Sequence, residues 1–219
     1  MREFRRILRR GAFDLAAACW SGPCPVCLSP LPGRALRGIC PACWCGLTRA
    51  ETTDGETPRA AFTYRGGIVK IHRRLKFSAE KYLASPLARR MALVWKASGG
   101  FHPDLIVPVP ADPLRLSYRR AVPGWLADSL ARHLECVAKR NALRKIRPTR
   151  TQTKRSARER RTALVGLFRA KPRVVAGKNV LIVDDITTTG ATLREAARAV
   201  QEAGALHVDT FALAHTPPA

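Results

Sequence analysis

"VLIVDDITTTGATL", Val180–Leu193, is the stretch from which this chain can be read. Four apolar residues, Val180–Val183, lead into Asp184 and Asp185, then into Thr187, Thr188, Thr189, Gly190, Ala191 and Thr192. A short apolar run rich in β-branched residues predicts a buried strand, here ending on the two aspartates. The following "ATLREAARAVQEAGA" has helical spacing, with Leu193, Ala197, Val200 and Ala203 inward and Gly204 as the stop. "LHVDTFALAH" predicts a last strand. Strand–helix–strand order implies parallel pairing, and so an α/β fold.

In such sheets ligands bind at the turn after a strand, on the carboxyl edge. This turn opens a helix, whose free N–H groups and dipole favour an anion. The small residues Thr187–Thr192 let the backbone approach a phosphate closely, and their hydroxyls add hydrogen bonds. Two carboxylates cannot serve the same phosphate. They suit a vicinal diol about one sugar length away, or a metal ion. Phosphate and diol together describe a ribose 5-phosphate. A Walker loop is excluded because no lysine follows Gly190, and a dinucleotide fingerprint because its spaced glycines are missing. A receiver domain also carries such a strand, but near its start, and only 34 of the 219 residues follow Asp185.

The charge balance is lopsided: 39 Lys+Arg against 16 Asp+Glu, a formal net charge of +23. Such a field attracts nucleic acid, anionic lipid or phosphate-rich small molecules, the bland alternative being a solvated basic surface. From Lys139 to Arg173 there are fourteen Lys/Arg and a single acid, Glu159. "RPTRTQTKRSARERR" in this run has no clear period and predicts a mobile loop leading into a helix. No apolar stretch approaches the ~20 residues of a membrane span, and the chain is expected to be cytoplasmic.

Six of the seven cysteines lie between positions 19 and 45. "CPVC" (Cys24, Cys27) and "CPAC" (Cys40, Cys43) are separated by twelve residues, a spacing that can place four thiolates around one structural zinc ion. Cys45 could replace Cys43, since "CWC" offers both. "LPGRALRG" between the knuckles reads as a hairpin carrying Arg34 and Arg37. With Trp20 and Trp44 these arginines could meet single-stranded nucleic acid, or the tryptophans could pack inward.

Four segments are expected: a basic helix over 1–18, a zinc ribbon over 19–50, a strand and helical connector over 58–98, and an α/β domain over 101–219. "AAFTY" reads as the connector's strand, and "IVKIHRRLKF" as its first helix with Ile68, Ile71 and Leu75 inward. "DLIVPVP" reads as a strand, and "WLADSLARHLECVA" as a helix carrying Cys136 as a small buried residue. His72, His102, His133, His207 and His215 show no ligand spacing and read as ordinary surface or boundary residues.

The motif resembles the phosphoribosyl-pyrophosphate (PRPP) signature of type I phosphoribosyltransferases. With "CPVC…CPAC", "Y…IHRRLKF…LASPLA", "LIVPVP" and "TRTQ", nearly the whole chain resembles the ComF family of competence-associated proteins. The resemblance implies a phosphoribosyltransferase-like parallel sheet flanked by helices, behind a small N-terminal zinc ribbon. It also implies a role in handling single-stranded DNA during natural transformation, with a competence helicase as a candidate partner. Asp184 and Asp185 would hold the ribose hydroxyls, and Thr187–Thr192 would wrap the 5′-phosphate. Pro108, Val109, Pro110 and Ala111 would border the pyrophosphate, and Mg²⁺ would arrive with the PRPP. Arg115, Arg119, Arg120 and Lys154 are the candidate cations for departing pyrophosphate. Arg34, Arg37, Arg150, Lys154 and Arg155 are the candidates for nucleic acid. The chain departs from the family's "RGFNQ"-like segment, reading "YRRAVPG" there, and carries Ala163 where an Asn is expected. The resemblance therefore implies PRPP binding more directly than turnover on an acceptor.

Overall fold

The computed structural model describes residues 23–31, 38–50, 59–78, 80–111, 122–147 and 165–217. The helix expected over 1–18 lies outside these residues. So do Cys19, Trp20, Arg34, Arg37, Arg115, Arg119, Arg120, Arg150, Lys154, Arg155 and Ala163. The chain divides into two compact units, Met1–Leu47 and Thr48–Ala219.

In the first unit a five-residue helix, α1 (Pro41–Cys45), follows the second cysteine pair's leading Cys40. Cys24, Leu31, Ile39 and Leu47 are its buried apolar side chains among the described residues.

The second unit is built on a five-stranded sheet in the order β1-β7-β6-β2-β3. Its strands are β1 (Arg59–Thr63), β2 (Leu105–Pro108), β3 (Val137–Ala138), β6 (Asn179–Thr187) and β7 (His207–His215). Every neighbouring pair is parallel, as strand–helix–strand order requires. β1 adds itself to the edge beside β7, so the segment expected as a connector is built into the same unit as the rest of the sheet. β4 (Leu143–Lys145) and β5 (Phe168–Ala170) form a separate antiparallel pair.

Helices cover both faces. α3 (Ala84–Ala97) and α4 (Val122–His133) pack together over one face, against β1, β2, β6 and β7. α6 (Ala191–Glu202) covers the other face at β6 and β7. α5 (Pro172–Val175) is a single turn before β6. α2 (Gly67–Phe77) follows β1 and buries Ile68, Ile71, His72 and Leu75, a stripe at helical spacing.

Three expectations need correction. The helix expected through Val137 ends at His133; Glu135 turns left-handed (φ 54°), Cys136 N–H donates to the Ala131 carbonyl, and Val137 starts β3. Cys136 is therefore a half-buried turn residue rather than a helical core residue. On α6 the fully buried set is Leu193, Ala196, Ala199 and Val200, with Ala197 and Ala203 half-buried beside it. Glu195 is buried with that set because Oε1 accepts from the backbone N–H groups of Gly166 (2.7 Å) and Leu167 (3.3 Å), while Arg198 pairs with it at 2.7 Å. The third correction is β6, which runs two residues beyond the aspartates to Thr187 because β7 continues to pair with it. Gly204 is the helix stop, with φ 90°.

Gly100 shows how tightly the α3 side is packed. A β-carbon there would sit 2.2 Å from Trp95 Cε2. The Trp95 ring cannot yield: it is 1% exposed, Nε1 donates to the Phe101 carbonyl (2.9 Å), and Phe101 and Phe211 pack on it. Gly100→Ala is expected to cost about 1–3 kcal/mol by overpacking, a fall in Tm of about 3–10 °C. An unchanged thermal melt would contradict this packing.

Candidate functional site

The acidic pair occupies a step in the carboxyl edge of the sheet. β2 ends at Pro108, opposite Val183. β6 continues past that point, paired only on its other side, through Asp184↔Ala212, Ile186↔Ala214 and Thr187↔His215. Asp184 and Asp185 are therefore the first residues to pass the end of β2. Strand geometry sends them to opposite faces. Val180 and Ile182 pack with Leu193 and Ala196 of α6, so Asp184, of the same parity, faces the α6 side. Asp185 faces α2.

There Asp185 is held by two hydrogen-bond donors and faced by one ammonium. His72 Nε2 lies 2.9 Å from Oδ2, the Ile186 N–H donates to Oδ1 at 2.9 Å, and Lys76 Nζ stands 4.0 Å from Oδ2. Asp184 Oδ1 accepts the Asp185 N–H at 2.9 Å. The two carboxyls are pushed apart in acidity. Burial, then the charge of Asp185, drives the Asp184 carboxyl well above its ordinary range. Burial also pushes Asp185 up, but the His72 hydrogen bond, with the Lys76 charge, outweighs it and leaves Asp185 below the usual carboxylate range. Near neutrality Asp185 is the charged member, and Asp184 is the one that resists ionisation.

The turn beyond is shaped from β7. His215 Nε2 donates to the Thr188 carbonyl (2.8 Å) and the Thr216 N–H to the Thr187 carbonyl (2.8 Å). His215 is thus a loop anchor, not an ordinary boundary residue. Thr187 is buried within the strand, whereas Thr188 and Thr189 are exposed and Ala191 and Thr192 half-exposed. Gly190 caps α6 in the left-handed region (φ 71°), where a side chain would be strained, and no side chain caps the helix. The first-turn N–H groups of α6 are left open toward the turn.

The loop after β2 offers few backbone donors. Pro108 and Pro110 have no N–H, and the Val109 N–H pairs with the Val183 carbonyl at 2.8 Å. Of the four residues, Ala111 alone can offer a backbone donor. His72 is the residue that sequence reasoning missed. It occupies the i+4 position of the stripe Ile68–Ile71–Leu75, and a titratable residue on an apolar helical stripe was the available signal.

The second site is in the first unit. The Sγ atoms of Cys24, Cys27, Cys40 and Cys43 all lie within 4.8 Å of one another. Cys27 and Cys40 are 3.7 Å apart, close to the ~3.8 Å edge of a tetrahedron with zinc–sulfur bonds of about 2.3 Å. The Cys40 N–H points at Cys24 Sγ (3.5 Å) and the Cys43 N–H at Cys40 Sγ (3.4 Å), and the left-handed Leu28 (φ 64°) closes the first knuckle. The Cys27 thiol is drawn down to about 6, first by the Ser29 hydroxyl, while Cys43 is pushed up to about 12, first by Cys40. The set could hold one zinc ion, on which the four sulfurs would converge as thiolates. Cys45 is exposed and stands outside the group, which settles the choice within "CWC".

The split acidic pair has opposite consequences for stability. Asp184, with a raised folded-state pKa, loses stability as pH rises through its titration; Asp185, with a lowered one, contributes stability that is lost as pH falls through its own. At pH 7, Asp184→Asn is expected to raise the Tm of the ligand-free protein by about 2–4 °C, and Asp185→Asn to lower it. Equal shifts of the same sign would contradict the asymmetry.

Residues 89–218 match the phosphoribosyl transferase domain family. The "DNA utilization protein YhgH" of Escherichia coli O157:H7 is 31% identical over 217 residues, covering 92% of this chain and 93% of that protein. The "Competence protein ComFC" of Streptococcus pneumoniae is 28% identical over 194 residues, 87% of this chain and 79% of that protein. Among solved structures, the glutamine PRPP amidotransferase from B. subtilis aligns with a TM-score of 0.41 at 23% identity, over 59% of this chain and 26% of that one. With its parallel sheet, its acidic step at the carboxyl edge and its four-cysteine knob, the chain belongs to the ComF family of phosphoribosyl transferase-domain proteins.

Proposed function

We propose that this protein binds PRPP with Mg²⁺ at the β6 edge and works on single-stranded DNA in the cytoplasm during DNA uptake. The observation that carries the reading is the step itself. Asp184 and Asp185 stand past the end of β2, next to a turn whose helix N-terminus is uncapped by any side chain. The carboxylates suit the ribose diol and the open N–H groups suit the 5′-phosphate. Among the described residues the cysteine set is the one group of three or more metal-ligating side chains, so the acidic pair forms no protein cage for Mg²⁺. The ion would come with the pyrophosphate, which supplies the remaining oxygens.

The DNA half rests on charge and kinship. The net charge of +23 favours a polyanion, and the relatives are named for DNA utilization and competence. No helix among the described residues is long and apolar enough to cross a membrane. A helicase of the uptake machinery is the partner the kinship suggests. Catalytic transfer of the phosphoribosyl group to a base or amine is the second reading. The intact acidic pair favours it, and the single backbone donor on the pyrophosphate side weighs against it.

A hundredfold excess of Mg²⁺–PRPP over its Kd is expected to raise the Tm of the wild type by about 5–10 °C, and to leave the Asp184→Asn/Asp185→Asn double variant unmoved. An equal response in both would sink the site assignment. Pyrophosphate release with candidate acceptors would make the protein a transferase; salt-sensitive binding of single-stranded DNA without release supports the binding reading.

Zinc at the cysteine knob should appear as one equivalent per chain by metal analysis. Cys43→Ser is expected to lose the metal, and Cys45→Ser to keep it. A folded wild-type knob free of zinc would refute this role.

A further inference from the structure

α2 sends a chain of hydrogen bonds into the acidic step. Tyr64 Oη lies 3.2 Å from His72 Nδ1, and His72 Nε2 lies 2.9 Å from Asp185 Oδ2. The imidazole is 3% exposed, and the Tyr64 ring meets it edge-on, 5.6 Å between centroids. A carboxylate only accepts, so Nε2 carries the hydrogen. In the Nε2–H tautomer Nδ1 is the acceptor, and the Tyr64 hydroxyl donates to it. Burial and the negative charge of Asp185 hold the Tyr64 phenol above its ordinary range, so the hydroxyl keeps its proton. The bonds therefore run in one direction, from Tyr64 to His72 to Asp185.

We propose that His72, oriented by Tyr64, is the positioning residue of the acidic pair, fixing the Asp185 carboxylate so that its remaining lone pairs face the bound ribose. The proposal rests on the ribose-phosphate reading of the site. Each Asp185 oxygen is tied by one rigid donor, Oδ1 by the Ile186 N–H and Oδ2 by His72. Two oxygens offer about four acceptor positions, so acceptor capacity remains while the group can no longer turn. Lys76 cannot do this: its side chain is 38% exposed and its nitrogen stands at 4.0 Å. The ring nitrogen is held by the fold at a buried point, so it orients the carboxylate rather than following it. The carboxylate is thereby aimed before the ligand arrives, and ordering it costs no affinity.

A merely structural His72 would only tie α2 to the sheet, and two measurements on the full chain separate the roles. In the ligand-free protein, long-range ¹H–¹⁵N NMR should show His72 as a single Nε2–H tautomer, kept in Tyr64→Phe because the Asp185 carboxylate still accepts from Nε2. Calorimetry with Mg²⁺–PRPP and with ribose 5-phosphate at fixed pH should show affinity falling about tenfold or more in His72→Leu, the loss of one bond to a charged group. His72→Gln, whose amide N–H can replace Nε2–H, should recover most of it, and Tyr64→Phe should lie between. Thermal melts report which variants fold; should His72→Leu fail to fold, Tyr64→Phe and the tautomer carry the test. Wild-type affinity in a folded His72→Leu, or an Nδ1–H tautomer in the wild type, would overturn the proposal. A wild type that binds neither probe overturns the ribose-phosphate reading as well, and so is distinguishable from failure of the positioning role alone.

Discussion

The extra length of β6 is the constraint on which the site depends. A parallel strand is ordinarily held on both sides, yet from Asp184 onward β6 keeps only its β7 ladder. That one-sided pairing creates an edge with depth: carboxyls partly sheltered by the sheet, with space where β2 would have continued. The remaining features attach to it. β7 anchors the turn through His215 and the Thr216 N–H, Gly190 reverses the chain, and α6 starts with its amides facing the opening. Shortening β6 or lengthening β2 would close the step with neither aspartate changed.

Sheltering two adjacent carboxyls works against stability, because desolvation penalises their charge. The structure resolves this asymmetrically. On the α2 face, His72, Lys76 and the Ile186 N–H compensate Asp185. Asp184 accepts the Asp185 N–H and shares a side-chain hydrogen bond with Asp185, and neither these nor the Lys76 charge offsets its burial. The free protein thus carries one satisfied acid and one under-compensated acid. This is the state expected where a ligand's hydroxyls or cation complete the set.

The cysteine knob solves a different problem. About 25 residues cannot bury enough apolar surface to fold alone, and only a few apolar side chains are buried there among those described. Four converging thiols could hold one metal ion, a point of cross-linking that would replace the missing core. The N–H groups of Cys40 and Cys43, directed at sulfur, orient the ligands in the manner expected around a bound cation.

Much of this was legible in local sequence, since strand period, helix spacing, the knuckle spacing and the order of acids, threonines and glycine are all short-range signals. They sufficed for the α/β class, parallel pairing, the four cysteines and the place of Asp184–Thr192. The misreadings came where a distant partner overrides local pattern. Leu134–Val137 continues a helical stripe, but left-handed Glu135 and pairing of Val137 with Leu105 end the helix. Glu195, which the local pattern does not single out, is buried because Gly166 and Leu167, 29 and 28 residues away, direct their amides at it. His72 and Asp185 are 113 residues apart, and neither spacing nor composition relates them. The sequence by itself determined which chemical groups the edge carries, because residue type and strand period are local properties. Only the tertiary structure decided which carboxyl is charged, which is held and what holds it, because burial and hydrogen bonding depend on elements that meet only when the sheet is assembled.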